Sequence, residues 1–122
     1  MNIFRKDDNE YDNSGPVTNR REDERTSLFQ SSYYRIDETE DDVRECWIMD
    51  ISTGGIKIEV NRTENIDESD ELVVIFRIFE AIFREHVAVR HTEGALNRMR
   101  CGCQFLTKND MRSRFIQDYI SR

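Results

Sequence analysis

Apolar residues recur at every second position in several short runs, and polar, often acidic, stretches separate the runs. Ile56, Ile58 and Val60 alternate with Lys57, Glu59 and Asn61, the two-residue period of a half-buried strand. Trp47, Met49 and Ile51 make a similar alternation just upstream, so residues 43–51 and 55–61 read as paired strands. Ser52-Thr53-Gly54-Gly55 between them is turn chemistry, with two glycines able to take positive φ. Residues 26–36, rich in Phe29, Tyr33 and Tyr34, read as the first strand. Leu72 to Phe76 is a continuous apolar run, the most buried strand of the set, and it carries on through Ile78 and Phe79. A fifth strand is expected over 84–91, a turn at 92–95 and a sixth strand over 99–106. Met111, Phe115, Ile116, Tyr119 and Ile120 then follow at helical spacing, with Thr107 at the N-cap and Asp110 three residues on. Six short strands and one amphipathic helix predict an all-β fold, a six-stranded antiparallel β-barrel with a C-terminal α-helix.

Polar residues cluster around the glycine turn. Asp50 and Ser52 are two apart, so on an extended backbone both point to one side. A carboxylate and a hydroxyl beside open backbone amides can take a nucleobase edge or another polar ligand. Ordinary turn capping accounts for the same two residues. Upstream, Arg20, Arg21 and Arg25 gather in an otherwise acidic chain. In a single helical turn Arg21 and Arg25 would share a face and pair with Glu22, Asp23 and Glu24.

Arg21-x-x-x-Arg25 followed some 25 residues later by Asp50-x-Ser52-x-x-Gly55 resembles the PilZ domain family, whose members bind the bacterial second messenger cyclic di-GMP. Gly102-x-x-Phe105 and the helix after it look like that family's last strand and closing helix, so the resemblance runs over about residues 20–120. It implies the same six-stranded barrel over 20–122. Residues 1–19, polar, with Gly15, Pro16 and few apolar groups, read by composition as a flexible tail. The resemblance also implies a ligand site. Arg21 and Arg25 would hold a phosphate and a guanine Hoogsteen edge, since guanidinium forks match both. Asp50 and Ser52 would take a guanine edge, and Gly55 would let the backbone come close. Arg20, adjacent, is a third candidate contact.

A net charge of −7 argues against a nucleic-acid polymer or an anionic membrane surface as partner. It leaves room for a small anion, because salt screens a diffuse charge beyond about 10 Å. No 18-residue apolar run is present, so no membrane insertion is expected, and Met1 to Asp8 turns charged too early for a signal peptide. Three cysteines, an odd number, fit a reducing cytoplasm. The inventory for catalysis is poor: two histidines at odd spacing, no nucleophile triad and no phosphate-cradling glycine loop. No enzyme activity, catalytic residue, metal or cofactor is therefore expected. Cys101 and Cys103 share one face and read as buried apolar thiols.

The expected function is a bacterial cyclic di-GMP receptor, monomer or homodimer, that relays the signal to a downstream protein partner by a ligand-induced conformational change. In it the Arg20–Arg25 segment orders when ligand arrives. The alternative is a PilZ-like protein-interaction module that does not bind cyclic di-GMP.

Overall fold

A computed structural model describes residues 24–36 and 42–122. The expected tail over 1–19, Arg20, Arg21 and most of the acidic turn after Ile36 lie outside the described residues. The elements are β1 (Thr26–Arg35), β2 (Arg44–Ile51), β3 (Gly55–Asn61), β4 (Glu71–Ile78), β5 (Ala81–Ala95), β6 (Arg98–Phe105) and α1 (Asp110–Ser121). The six strands form one closed antiparallel barrel in the order β1-β2-β3-β6-β5-β4, with β4 returning to β1. The predicted fold class is the observed one.

Alternation explains the strands. In β3 every apolar residue, Ile56, Ile58 and Val60, is fully buried, while Lys57 and Glu59 face outward. Glu59 is held outside by Arg100 at 3.0 Å and Arg98 at 3.3 Å. The hydrogen bond from Arg100, joined by that from Arg98, keeps its carboxyl below the usual range. The interior is filled by Ile48, Ile51, Val74, Phe76, Val87 and Val89 from the other strands.

Three expectations change. First, β2 buries Cys46, Ile48 and Ile51, while Trp47 is 46% exposed. Trp47, Met49 and Ile51 therefore do not share a face. The cause is a β-bulge: Ile48 pairs with Ile58 and Asp50 with Lys57, leaving Met49 as an extra residue. Second, β5 runs unbroken to Ala95, so residues 92–95 are strand and the turn falls at Leu96-Asn97. Leu96 takes a φ of 53° and Phe79, in the β4–β5 turn, a φ of 54°, so both tight hairpins turn on a bulky residue. Third, the N-cap of α1 is Asn109, whose side chain accepts the Arg112 amide at 3.0 Å; Thr107 lies outside the helix.

Helix α1 closes one end of the barrel with Ile116, which is fully buried, and with the half-buried Phe115, Tyr119 and Ile120. Its anchor is polar. Arg112 meets Glu85 of β5 at 2.7 Å, with the two side chains only 4% and 8% exposed. Arg112 also donates to the Thr107 carbonyl at 2.9 Å and lies over the Phe105 ring at 4.0 Å. Near the other end the buried Tyr34 hydroxyl donates to the Glu64 carboxylate, which Arg44 also reaches at 3.2 Å. Burial pushes the Tyr34 phenol above its ordinary range.

Candidate functional site

The site is built around the bulge. Cys46 and Ile48 point into the barrel, so strict alternation would send Asp50 inside with them. Met49, the extra residue, reverses the parity. Ile51 drops into the core and Asp50 stays on the outer wall. There Asp50 faces its cross-strand partner Lys57, with Nζ at 3.9 Å from Oδ2. Arg25, just before β1, donates from Nη1 to Asp50 Oδ1 at 2.6 Å across 25 residues of sequence. The two side chains are 41% and 23% exposed, so this is an accessible pair with an open face.

Ser52 does something different. It follows the last residue of β2, is 2% exposed, and does not stand beside Asp50 on the outer wall. Its hydroxyl oxygen accepts the amides of Gly54 at 3.3 Å and Gly55 at 3.2 Å. Its own amide donates to the Gly55 carbonyl at 2.9 Å. The turn-capping role is thus the one its contacts display. Gly55 is not required by φ, since no described glycine has a positive one. It is required by space: a Cβ there would lie 2.1 Å from the Cys103 carbonyl oxygen of β6. Gly55 lets β3 and β6 approach, and that closeness is part of the barrel wall.

Among the predicted site residues, the fold brings Arg25, Asp50, Ser52 and Gly55 to one end of β2–β3. Arg20 and Arg21 lie outside the described residues. Lys57 was missed by reading the sequence, although the signal was present. It is the outward residue two after Gly55, and drawing the hairpin register sets it against Asp50. Thr53, inside the same turn, keeps a buried hydroxyl with no hydrogen-bond partner among the described residues.

The cysteines are buried and free. Burial pushes the Cys46 and Cys103 thiols up to about 12 and that of Cys101 to about 11, so at neutral pH they are protonated and unreactive. Among the described residues no group of three or more His, Cys, Asp or Glu is arranged to hold a metal, and no helix is long and apolar enough to cross a membrane.

Solved structures with this architecture are similar over most of the chain at low identity. The inhibitor of motility MotI/DgrA of Bacillus subtilis is 15% identical, with a TM-score of 0.69 over 80% of this chain and 48% of its own. YcgR of Escherichia coli, in complex with c-di-GMP, is also 15% identical, with a TM-score of 0.62 over 80% of this chain and 42% of its own. MrkH of K. pneumonia, likewise a c-di-GMP complex, is 19% identical, with a TM-score of 0.62 over 86% of this chain and 52% of its own. The chain spans about half the length of these proteins, and at such identities the likeness carries the fold alone. No curated protein matches the chain by sequence. The PilZ domain family model, however, matches residues 19–122, from the arginine segment to the end of α1. The chain belongs to the PilZ domain family.

Proposed function

We propose that this protein is a cyclic di-GMP receptor that passes the signal to a protein partner. The observation that carries the reading is the Arg25–Asp50 contact at 2.6 Å, which joins the end of one sequence motif to the start of the other on an accessible wall. Asp50 Oδ1 accepts from Arg25, while among the described residues Oδ2 has only Lys57 at 3.9 Å, which leaves accepting capacity for guanine N1–H and N2–H. Arg25 uses one of its five N–H donors on Asp50, and the others suit a phosphate or a guanine O6/N7 edge. Lys57 adds a compact cation beside the same spot. Arg20 and Arg21, a few residues before Arg25, would supply the remaining forks by folding over this wall. Ser52 and Gly55 serve by holding the turn that presents Asp50. Likeness to two proteins solved with c-di-GMP supports the choice of ligand. On this reading the protein has no catalytic role and needs no metal or cofactor.

Output would come from ordering. Fixing a residue costs about 1–2 kcal/mol of chain entropy. Ligand phosphates would supply the countercharge that lets the Arg20–Arg25 segment settle, creating a new partner surface. Calorimetry tests the reading: cyclic di-GMP binds, while GTP, GMP and cyclic AMP bind far more weakly. No heat with cyclic di-GMP at high micromolar concentration overturns it and leaves the non-binding interaction module. The fixed structural duties of Ser52 and Gly55 would fit that module equally well.

A further inference from the structure

We infer that the ligand site runs on from Asp50 across β3 and β6 to His91 of β5, with the bare backbone of Gly102 as its floor. This extension rests on the receptor reading and places the rest of the nucleotide whose guanine edge Asp50 takes. Four residues form one row across the outer wall. Asp50 pairs with Lys57, Lys57 with Gly102, and Gly102 with His91. Three interstrand spacings of about 4.8 Å put His91 roughly 14 Å from Asp50.

A bulge sets each end of the row. Met49 is the extra residue that keeps Asp50 outside. At the other end Val89 is buried and pairs with Cys103, while His91 pairs with Gly102, so Arg90 is the extra residue. Strict alternation after Val89 would send His91 into the barrel. The bulge turns it outward instead, and its side chain is 68% exposed. Bulges re-aim side chains beside functional sites, and here two of them aim at one row.

Gly102 is the residue that the fold does not explain. It lies inside β6 between the buried Cys101 and Cys103, so the side chain it lacks is lacking from the outer wall. Its φ is not positive. A Cβ there would lie 3.7 Å from His91 Cβ and 3.9 Å from the His91 carbonyl oxygen, ordinary contact distances. Unlike Gly55, it is demanded neither by space nor by φ. Glycine inside a strand lowers stability, and it often marks a place where another molecule approaches the backbone closely.

The charges suit a nucleotide laid along this row. Its guanine edge meets Asp50, its ring passes over Lys57, and its sugar and phosphate lie on Gly102. Lys57 and His91 then flank the phosphate, with the imidazole as an N–H donor. Arg90, exposed beside His91, donates from Nε to the Gln104 side-chain oxygen at 2.8 Å and has no carboxylate partner among the described residues. Glu93 Oε1 lies 3.9 Å from His91 Nε2, and Glu93 itself faces Arg100 on β6. A side chain at position 102 would lift the sugar and phosphate off the wall.

The test uses the full chain: calorimetry with cyclic di-GMP, urea melts, and the imidazole proton signals of its two histidines, assigned with His91→Gln. Ligand should shift the His91 ring signals and leave those of His86, opposite Val73, near their free positions. Gly102→Val should melt at the wild-type urea concentration or above it, yet lose most of its affinity, with Gly102→Ala in between. His91→Ala should bind about 10-fold more weakly, the loss of one charge-assisted hydrogen bond. Wild-type affinity in both Gly102→Val and His91→Ala overturns the extended site and leaves the receptor reading standing. Unmoved His91 signals at saturation do the same. A fall in the urea midpoint of Gly102→Ala would show that the fold itself needs the glycine, and would remove the floor. No heat with wild type overturns the receptor reading, and this extension with it. His91 is exposed, so His91→Ala decides even if Gly102→Val fails to fold.

Discussion

At the scale of single residues, the four described positions of the two motifs divide by what they touch. Arg25 and Asp50 face outward and hold each other at 2.6 Å. An exposed pair of this kind contributes about 0–1 kcal/mol to stability, so Arg25→Ala and Asp50→Ala should fold and melt much as wild type. Each should nevertheless weaken cyclic di-GMP binding about 10- to 100-fold in calorimetry, the loss of one charge-assisted hydrogen bond worth roughly 1.5–3 kcal/mol. Arg25→Lys should recover only part, since an ammonium cannot form the planar fork. Wild-type affinity in these variants would mean the pair is structural. Gly55 and Ser52 predict the opposite pattern. A methyl at Gly55 meets the Cys103 carbonyl at 2.1 Å, main chain that cannot swing aside. Gly55→Ala should therefore lower stability by about 1–3 kcal/mol or more. Ser52→Ala leaves the Gly54 and Gly55 amides without their acceptor, at about 1–3 kcal/mol. Urea melts of the two series should separate them. An unchanged midpoint for Gly55→Ala would refute the steric account.

At the scale of elements, the strand positions were legible wherever a single period held. The bounds expected for β3 are the observed ones, and β1, β2 and β6 begin or end within a residue or so of expectation. What was not legible is the break in period. Nothing in Ile48-Met49-Asp50-Ile51 marks Met49 as the bulged residue, because bulging is decided by which of two apolar residues the core accepts. The same limit applies to Leu96. A leucine at φ 53° gives no turn signal, so Gly94 drew the expected turn to the wrong place. Leu96 is 88% exposed and bonded through its carbonyl, not its side chain, to Arg62. Leu96→Gly should thus relieve a left-handed penalty of about 1–2 kcal/mol, offset in part by the entropy of a freer unfolded chain. The melting temperature should rise; a fall would mean the side chain packs on something. The helix was legible as a stripe, but its buried anchor was not, since Arg112 sits among charged residues that read as surface. Arg112→Ala should strand Glu85 under α1 and cost about 3–5 kcal/mol, whereas replacing both Glu85 and Arg112 by leucine should cost far less. Equal losses in the single and double variants would show that packing, not charge, is what Arg112 supplies.

At the scale of the whole molecule, closing the barrel is the step that sequence order least reveals, because β1 must find β4 across two intervening strands. Their joint is also the sparsest. Among the described residues only Tyr33, Tyr34 and Arg35 pair with Ile75, Val74 and Val73. Beyond that, side chains take over the work of main chain: the Ser32 hydroxyl donates to the Ile75 carbonyl. Gln30 accepts the Arg77 amide at 2.8 Å and donates to the Arg77 carbonyl at 3.0 Å. The Tyr119 hydroxyl of α1 donates to the Ser27 carbonyl at 3.1 Å, so the helix braces the same strand two residues after Arg25. A joint made of side chains opens locally at lower cost than a ladder, and hydrogen exchange should find it. Gln30→Ala removes two hydrogen bonds, each worth about 0.5–1.5 kcal/mol net. The Arg77 amide should then exchange much faster, while amides of the β3–β6 ladder on the far side of the barrel keep most of their protection. Global destabilisation alone would speed every amide that exchanges by full unfolding to the same extent. A uniform loss of protection in Gln30→Ala would therefore show that the barrel has no weak joint, and that any motion passed from Arg25 to a partner has to travel through the molecule as a whole.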